Sequence, residues 1–84
     1  MIEVKVSPEA QDQLDRLTKS VRARVYALVE RLRRWPQVSG AKPLTGNLAG
    51  KFRLRTGDYR LQFRVEGKNV IVERIGHRGG FYKR

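Results

Sequence analysis

Residues 51–65, KFRLRTGDYRLQFRV, decide the fold, because apolar and polar side chains alternate through two segments that a turn separates. A period of two is typical of a β-strand with one face against a core and the other toward solvent. The turn falls at Thr56 to Asp58, so the two segments predict an antiparallel hairpin. Its apolar face would carry Phe52, Leu54, Leu61 and Phe63.

The segments on both sides of this hairpin predict the rest of an α+β fold. Residues 2–6 alternate and predict a first strand, while residues 70–75 form a β-branched run that predicts a more fully buried last strand. Between residues 8 and 35, apolar side chains recur at spacings of three and four in two stretches, which Ser7 and Ser20 can cap. Residues 36–50 are rich in glycine and proline and predict a loop.

The predicted element order is therefore βααβββ. Three consecutive strands form an antiparallel meander, the first strand adds to the same sheet, and a two-helix hairpin covers one face. Residues 1–84 have room for a single domain. Trp35, at the end of the second helix, is expected in the core.

The charge of the chain is strongly positive and unevenly distributed. It has 19 Lys and Arg against 8 Asp and Glu, a net charge of +11. Residues 51–84 hold a balance of +7, which makes a polyanion the expected partner, either nucleic acid or an acidic protein. The polar N-terminus and the lack of an apolar run of about 20 residues indicate a cytoplasmic protein without a membrane span.

The strand alternation places many of these cations on one surface, which we call the cationic face. If the apolar side chains pack under the helices, the opposite face carries Lys51, Arg53, Arg55, Arg60, Gln62 and Arg64. Such clustering costs stability unless an anion compensates it. A binding site and a merely solvated face, with long stems covering apolar surface, both agree with this pattern.

Other catalytic constellations are missing from the sequence. The absence of cysteine excludes a disulfide scaffold, a zinc-thiolate site and a thiol nucleophile. The eight carboxylates are scattered without the spacing of a Mg²⁺ or Ca²⁺ site, so no metal and no cofactor are expected. His77 is the single histidine and cannot supply an acid–base pair.

An ordered set of short motifs carries a family resemblance. They are NLAG at 47–50, KFRLR at 51–55, YRL at 59–61, IGHR at 75–78 and FY at 81–82. Over nearly its whole length the chain resembles the RelE/ParE superfamily of toxin–antitoxin toxins. The resemblance implies the compact RelE-like microbial ribonuclease fold. RelE-like members are ribosome-dependent endoribonucleases that cut mRNA in the A site, whereas ParE-like members inhibit DNA gyrase and generally lack the cationic catalytic set.

The resemblance implies a set of catalytic residues in this chain. Lys51 and Arg53 match two basic strand residues of RelE-like toxins, although the family pattern has a lysine at the position of Arg53. Arg60 matches the arginine that contacts phosphate, Arg78 the arginine that ends the last strand, and Tyr82 the C-terminal tyrosine. Further contacts to RNA are expected from Arg55, Arg64, His77 and Lys83.

These roles suggest a metal-independent cleavage in which an RNA 2′-OH attacks the adjacent phosphate. Lys51 is the candidate base, because nearby Arg53 and Arg60 would disfavour its charged form. Arg53 and Arg60 would stabilise the phosphate, Arg78 would assist the leaving group, and Tyr82 would stack on a base.

Implied partners are the ribosome, mRNA and a cognate antitoxin in a hetero-oligomer. Two alternatives stay open: a ParE-like gyrase inhibitor without nuclease activity, and a non-catalytic RNA-binding protein.

Overall fold

The computed structural model describes residues 1–81, which form a five-stranded sheet with two long helices on one face. The strands are β1 (Glu3–Val6), β2 (Lys42–Pro43), β3 (Lys51–Thr56), β4 (Tyr59–Glu66) and β5 (Asn69–His77). The helices are α1 (Pro8–Asp15), α2 (Lys19–Arg31) and the short α3 (Arg78–Phe81). The sheet order is β1-β5-β4-β3-β2, with β1 parallel to β5 and the other pairs antiparallel. The predicted α+β fold, with a helical hairpin on one face of the sheet, is confirmed.

The hairpin that the alternating sequence predicts is β3–β4. Phe52 pairs with Phe63 and Leu54 with Leu61, so the apolar side chains of both strands share one face. Gly57 adopts φ +59°, a left-handed conformation that glycine accepts without a Cβ clash, and this closes the two-residue turn. The observed register therefore puts the cations of both strands on the other face.

Serine capping starts the helical layer and also ties it to the sheet. The Ser7 hydroxyl accepts a hydrogen bond from the Ala10 N–H at 3.0 Å, and Pro8 occupies the first turn. The same hydroxyl donates to the Glu73 carbonyl at 3.2 Å, and the Ser7 N–H donates to the Val72 carbonyl at 2.9 Å. α1 is thereby fixed against the middle of β5.

The core lies between the helices and the sheet. Its largest fully buried side chains include Phe63, Leu61, Leu14 and Leu32. Trp35 packs edge-on against Phe52 and Phe63, with ring centroids 4.8 and 5.4 Å apart, as expected for a core residue.

The structure departs from the sequence expectations in the connecting segments and in β5. The predicted loop contains β2, and α2 begins at Lys19 after Thr18 instead of after Ser20. The tail predicted from Gly76 onward starts as strand, since β5 continues to His77 before α3. Local strand propensity does not reveal β2 or the extension of β5 to His77, because hydrogen bonds to neighbouring strands stabilise both.

β5 also differs from a fully buried strand because it contains a β-bulge. Gln62 pairs with Arg74 but Phe63 pairs with Val72, so Glu73 is the extra residue. The shift by one residue lets Val72 and Ile75 both face the core, where they are 0% and 3% exposed. Glu73 and Arg74 are consequently only partly buried, and the strand carries charge on the side of the cationic face.

Candidate functional site

The cationic face forms as three rows of paired residues across β3 and β4. Lys51 lies opposite Arg64, Arg53 opposite Gln62, and Arg55 opposite Arg60. Directly paired side chains in an antiparallel sheet have Cβ atoms about 4.5–5.5 Å apart. Two of the three rows thus bring cation against cation, as the alternation predicts.

Glu73 lies at one end of this face and binds three of its side chains. Lys51 Nζ and Gln62 Nε2 each lie 3.1 Å from Glu73 Oε1, and Arg64 Nη1 lies 2.6 Å from Oε2. Arg64 also pairs through Nε with the exposed Glu66 at 2.9 Å. We call Lys51, Gln62, Arg64 and Glu73 the Glu73 cluster.

The electrostatics of the Glu73 cluster favour the charged forms of Glu73 and Arg64. Burial alone would raise the pKa of the Glu73 carboxyl, but hydrogen bonds from Gln62, Arg64 and Lys51, together with the Lys51 charge, lower that pKa below its ordinary value. Hydrogen bonds to Glu66 and Glu73 raise the pKa of Arg64. Glu73 is therefore a carboxylate at neutral pH.

The other end of the cationic face has a different environment. Arg60 lies between Arg55 on β3 and Gly76 on β5. Because glycine has no side chain, β5 adds no side chain of its own beside Arg60. Among residues 1–81, no carboxylate forms an ion pair with Arg55 or Arg60. We call this part of the face the Arg60 end.

Arg78 is held next to the Arg60 end by the β3–β4 turn. Its N–H donates to the Asp58 carbonyl at 2.7 Å, and its Nε lies 3.6 Å from Asp58 Oδ1. The Arg78 side chain is 63% exposed, so its remaining N–H groups are accessible. The turn that closes the hairpin thereby positions an arginine from the end of β5.

His77 lies at the same end of the sheet as Arg60, but its side chain is on the side of Tyr59 and not on the cationic face. It pairs with Tyr59, whose ring it contacts edge-on at 5.3 Å, and Tyr59 packs against the core. His77 Nδ1 accepts a hydrogen bond from the Gly79 N–H at 3.1 Å. A neutral ring in this contact carries its proton on Nε2, which can then donate to a phosphate oxygen.

The register changes one premise of the sequence-based mechanism. Arg60 does not adjoin Lys51: it lies opposite Arg55, four residues along β4 from Arg64, a distance of about 13 Å at the usual rise of a strand. The nearest charged partner described for Lys51 is the Glu73 carboxylate. Lys51 thus has an acidic neighbour, which the sequence-based mechanism did not include.

The remaining predicted site residues are Arg53, Tyr82 and Lys83. Arg53 is half-buried in the middle of the face, opposite Gln62. Tyr82 and Lys83 lie outside the described residues. Within residues 1–81, no three histidine, aspartate or glutamate side chains group as metal ligands would. No helix in that range is long and apolar enough to span a membrane.

Sequence reasoning missed the contributions of Glu73 and Arg24 to this surface. The signal for Glu73 was available, since two charged residues interrupt the apolar run before Ile75 and a strict alternation would put Val72 and Ile75 on opposite faces. Arg24 on α2 brings its guanidinium to the β3–β4 turn, with Nη1 3.6 Å from the position that a Cβ at Gly57 would take. Its helical spacing carries no sign of this contact.

Comparison with known proteins agrees with this architecture. Residues 4–80 match the family described as ParE toxin of type II toxin–antitoxin system, parDE. A 45-residue segment is 42% identical to Toxin RelG of Mycobacterium tuberculosis and spans 51% of this chain and 52% of that protein. The chain thus matches about half the length of this curated relative.

Solved structures share the fold over most of the chain. The toxin–antitoxin complex RelBE2 from Mycobacterium tuberculosis contains a chain with a TM-score of 0.81 and 32% identity, covering 92% of this chain and 98% of that one. The isolated E. coli RelE toxin gives a TM-score of 0.75 at 18% identity, covering 92% and 84% respectively. The match over residues 4–80 and the likeness to the RelBE2 chain show that the protein belongs to the RelE/ParE superfamily of type II toxin–antitoxin toxins.

Proposed function

We propose that the protein is a ribosome-dependent endoribonuclease that cleaves mRNA in the A site and so inhibits translation. The observation that carries this proposal is the two rows of paired cations on the cationic face, with Arg78 held at one end of it. Arg55 and Arg60, which form no ion pair among residues 1–81, suit the stabilisation of a phosphate whose negative charge increases in the transition state. Since the substrate is ribosome-bound mRNA, the proposal also implies a cytoplasmic location.

The proposed reaction is a transfer of the phosphate within the RNA. The 2′-oxygen forms a bond to phosphorus while the bond from phosphorus to the 5′-oxygen breaks, which leaves a cyclic phosphate and a 5′-hydroxyl. Arg60 and Arg53 stabilise the pentacoordinate phosphate, and Arg78 donates a hydrogen bond to the leaving 5′-oxygen, which takes its proton from solvent. Tyr82 is proposed to stack on a base, and His77 Nε2 to donate to the backbone.

The acceptor of the 2′-OH proton is either Lys51 or solvent. The geometry favours solvent, because Lys51 Nζ contacts Glu73 at the end of the face that lies away from Arg60. In either case a DNA strand is not cleaved, since it lacks the attacking 2′-OH.

Expression of the toxin followed by mapping of transcript 5′ ends tests the proposal. The wild type should arrest growth and produce cuts in phase with codons, whereas Arg60→Ala and Arg78→Ala should do neither. Arg16→Ala is the matched control, because Arg16 is an exposed arginine that pairs with Asp12 on α1. If both site variants still halted translation and growth, the assignment would be wrong.

A second candidate function is inhibition of DNA gyrase without nuclease activity. The match of residues 4–80 to a family described by its ParE toxins favours it. In that case expression should halt replication and induce a DNA-damage response while mRNA stays intact. If the protein caused no toxicity at all, the non-catalytic RNA-binding alternative would be supported.

We also propose that a cognate antitoxin binds this chain in a hetero-oligomer. A toxin of similar fold and sequence was solved as the toxin–antitoxin complex RelBE2. An acidic segment of the antitoxin would match the net charge of +11 and could cover the cationic face. Co-expression with the cognate antitoxin should restore growth and yield a complex that copurifies.

A further inference from the structure

The Glu73 cluster places a carboxylate inside a surface that otherwise attracts anions. The Glu73 side chain is 16% exposed, whereas Glu66, the other acid bound to Arg64, is 61% exposed. A carboxylate so close to a phosphate-binding surface opposes the binding of phosphate unless it has a compensating effect on the cations. The contacts of Glu73 indicate such an effect.

Both the backbone and the side chain of Glu73 are fixed. The bulge in β5 directs Glu73 toward β4, and the Ser7 hydroxyl holds its carbonyl at 3.2 Å. The carboxylate then receives Lys51 and Gln62 on one oxygen and Arg64 on the other. The Glu73 carboxylate therefore joins side chains from three strands through direct contacts.

The amide of Gln62 supports the view that the carboxylate organises this cluster. Gln62 is 2% exposed, and its Oε1 has no hydrogen-bond partner among the described residues. A buried acceptor without a partner costs free energy. The amide is nonetheless oriented with its NH₂ group toward Glu73, so this contact determines which way Gln62 points.

The bound cations retain capacity for another anion. An ammonium group has three N–H donors and a guanidinium has five. Glu73 uses one donor of Lys51, and Glu73 and Glu66 together use two of Arg64. The carboxylate therefore orients both cations without exhausting their donors.

We propose that Glu73 is a positioning residue that holds Lys51 and Arg64 as a preorganised pair for an RNA phosphate other than the one cleaved at Arg60. This inference rests on the proposed nuclease function and deepens it. Arg64 lies about 13 Å along β4 from Arg60, so the pair binds the backbone at a phosphate farther along the RNA strand than the one next to the cleaved bond. In this role Lys51 acts as a cation and does not accept the 2′-OH proton.

Two substitutions separate the charge of Glu73 from its geometry. Glu73→Gln removes the charge at nearly constant shape, and Glu73→Asp keeps the charge but withdraws the carboxylate by one methylene. Glu66→Gln is the matched control, because it removes the exposed acid from the same arginine. Each purified variant is given ribosomes stalled on a defined mRNA, and kcat and KM are determined.

The expected results differ between the variants. Both Glu73 variants should lower kcat about tenfold, because the RNA is then held less well against Arg60. With a non-cleavable RNA, Glu73→Gln should steepen the plot of log affinity against log salt by about 0.7, because one more positive charge on the face is then left uncompensated and binding releases one more counterion from the RNA. Glu73→Asp should leave that slope unchanged, and Glu66→Gln should keep the wild-type kcat.

Three outcomes would overturn the inference while leaving the nuclease function intact. They are a wild-type kcat for Glu73→Asp, a loss of kcat in Glu66→Gln equal to that in Glu73→Gln, and an unchanged kcat with a raised KM for both Glu73 variants. Failure of the nuclease function itself is distinguishable, since the wild type would then not cut the stalled mRNA.

Discussion

The Glu73 cluster and the Arg60 end belong to one sheet face but differ in how their charge is compensated. In the cluster, two cations and an amide converge on a carboxylate that is 16% exposed. At the Arg60 end, Arg60 lies between Arg55 and Gly76, and the acid that Arg78 contacts among residues 1–81 is the exposed Asp58. In the first region one carboxylate compensates part of the charge and orders both cations, whereas Arg55 and Arg60 in the second region form no ion pair among residues 1–81.

This difference indicates separate roles for the two regions. A cation that already has a carboxylate partner is held in place and loses part of its attraction for other anions. A cation without such a partner stabilises the new charge of a transition state more strongly. Under the proposed nuclease function, the cluster positions the substrate and the Arg60 end carries out the chemical step.

The largest effect is expected from Arg60→Ala. Loss of a group that stabilises transition-state charge typically lowers the rate by about 10²–10³-fold. Arg60→Lys should recover only part of that loss, because an ammonium group cannot contact two phosphate oxygens as a guanidinium does. Single-turnover cleavage of mRNA on stalled ribosomes measures the rates of both variants. A wild-type rate for Arg60→Ala would show that the two regions do not differ in their contribution to the chemical step.

The next effect concerns the stability of the Glu73 cluster. Glu73→Gln should lower the free energy of unfolding by about 2 kcal/mol at pH 7, since hydrogen bonds between charged groups are lost. Because folding lowers the pKa of Glu73, its contribution is present above the pKa of the unfolded state and disappears as the pH falls through the folded-state value.

Urea denaturation between pH 7 and pH 3 tests this linkage. The wild type should lose more stability on acidification than Glu73→Gln, and Glu66→Gln should behave as the wild type does. Parallel curves for the wild type and Glu73→Gln would show that the carboxylate does not stabilise the folded state.

A smaller effect is expected from Asp58→Ala, which removes the side-chain partner of Arg78. The backbone hydrogen bond from Arg78 to residue 58 remains, so α3 should stay in place while the guanidinium loses its orientation. We expect the cleavage rate to fall about tenfold, consistent with a positioning effect. Asp12→Ala, which breaks an exposed pair with Arg16, is the control and should cleave at the wild-type rate.

The smallest effect is expected from Ser7→Ala. It removes the α1 cap and the hydrogen bond to the Glu73 carbonyl, which should cost about 1 kcal/mol of stability. Thr18→Ala is the matched control, because Thr18 precedes α2 without a side-chain capping bond. Thermal unfolding should separate the two variants, and equal losses would show that the serine does not fix the bulge.

The β3–β4 hairpin and β5 differ in how well the sequence alone predicts the direction of their side chains. Alternation along residues 51–65 correctly predicted which side chains face the core and which form the cationic face, because a strand has a strict period of two. The same rule failed in β5, where one extra residue changes the phase and brings Glu73 beside Lys51. A bulge forms through pairing with a neighbouring strand, so its position is not a local property.

Sequence alone determined the α+β order, the capped helix α1, the apolar core and the surface that carries the charge. These features follow from local periodicity and from the removal of apolar side chains from water. Only the tertiary structure decided which cations have an acidic neighbour, because that depends on register between strands that lie far apart in the chain. The separation of Lys51 from Arg60, the capture of Lys51 by Glu73 and the link from Arg78 to Asp58 all arise in this way.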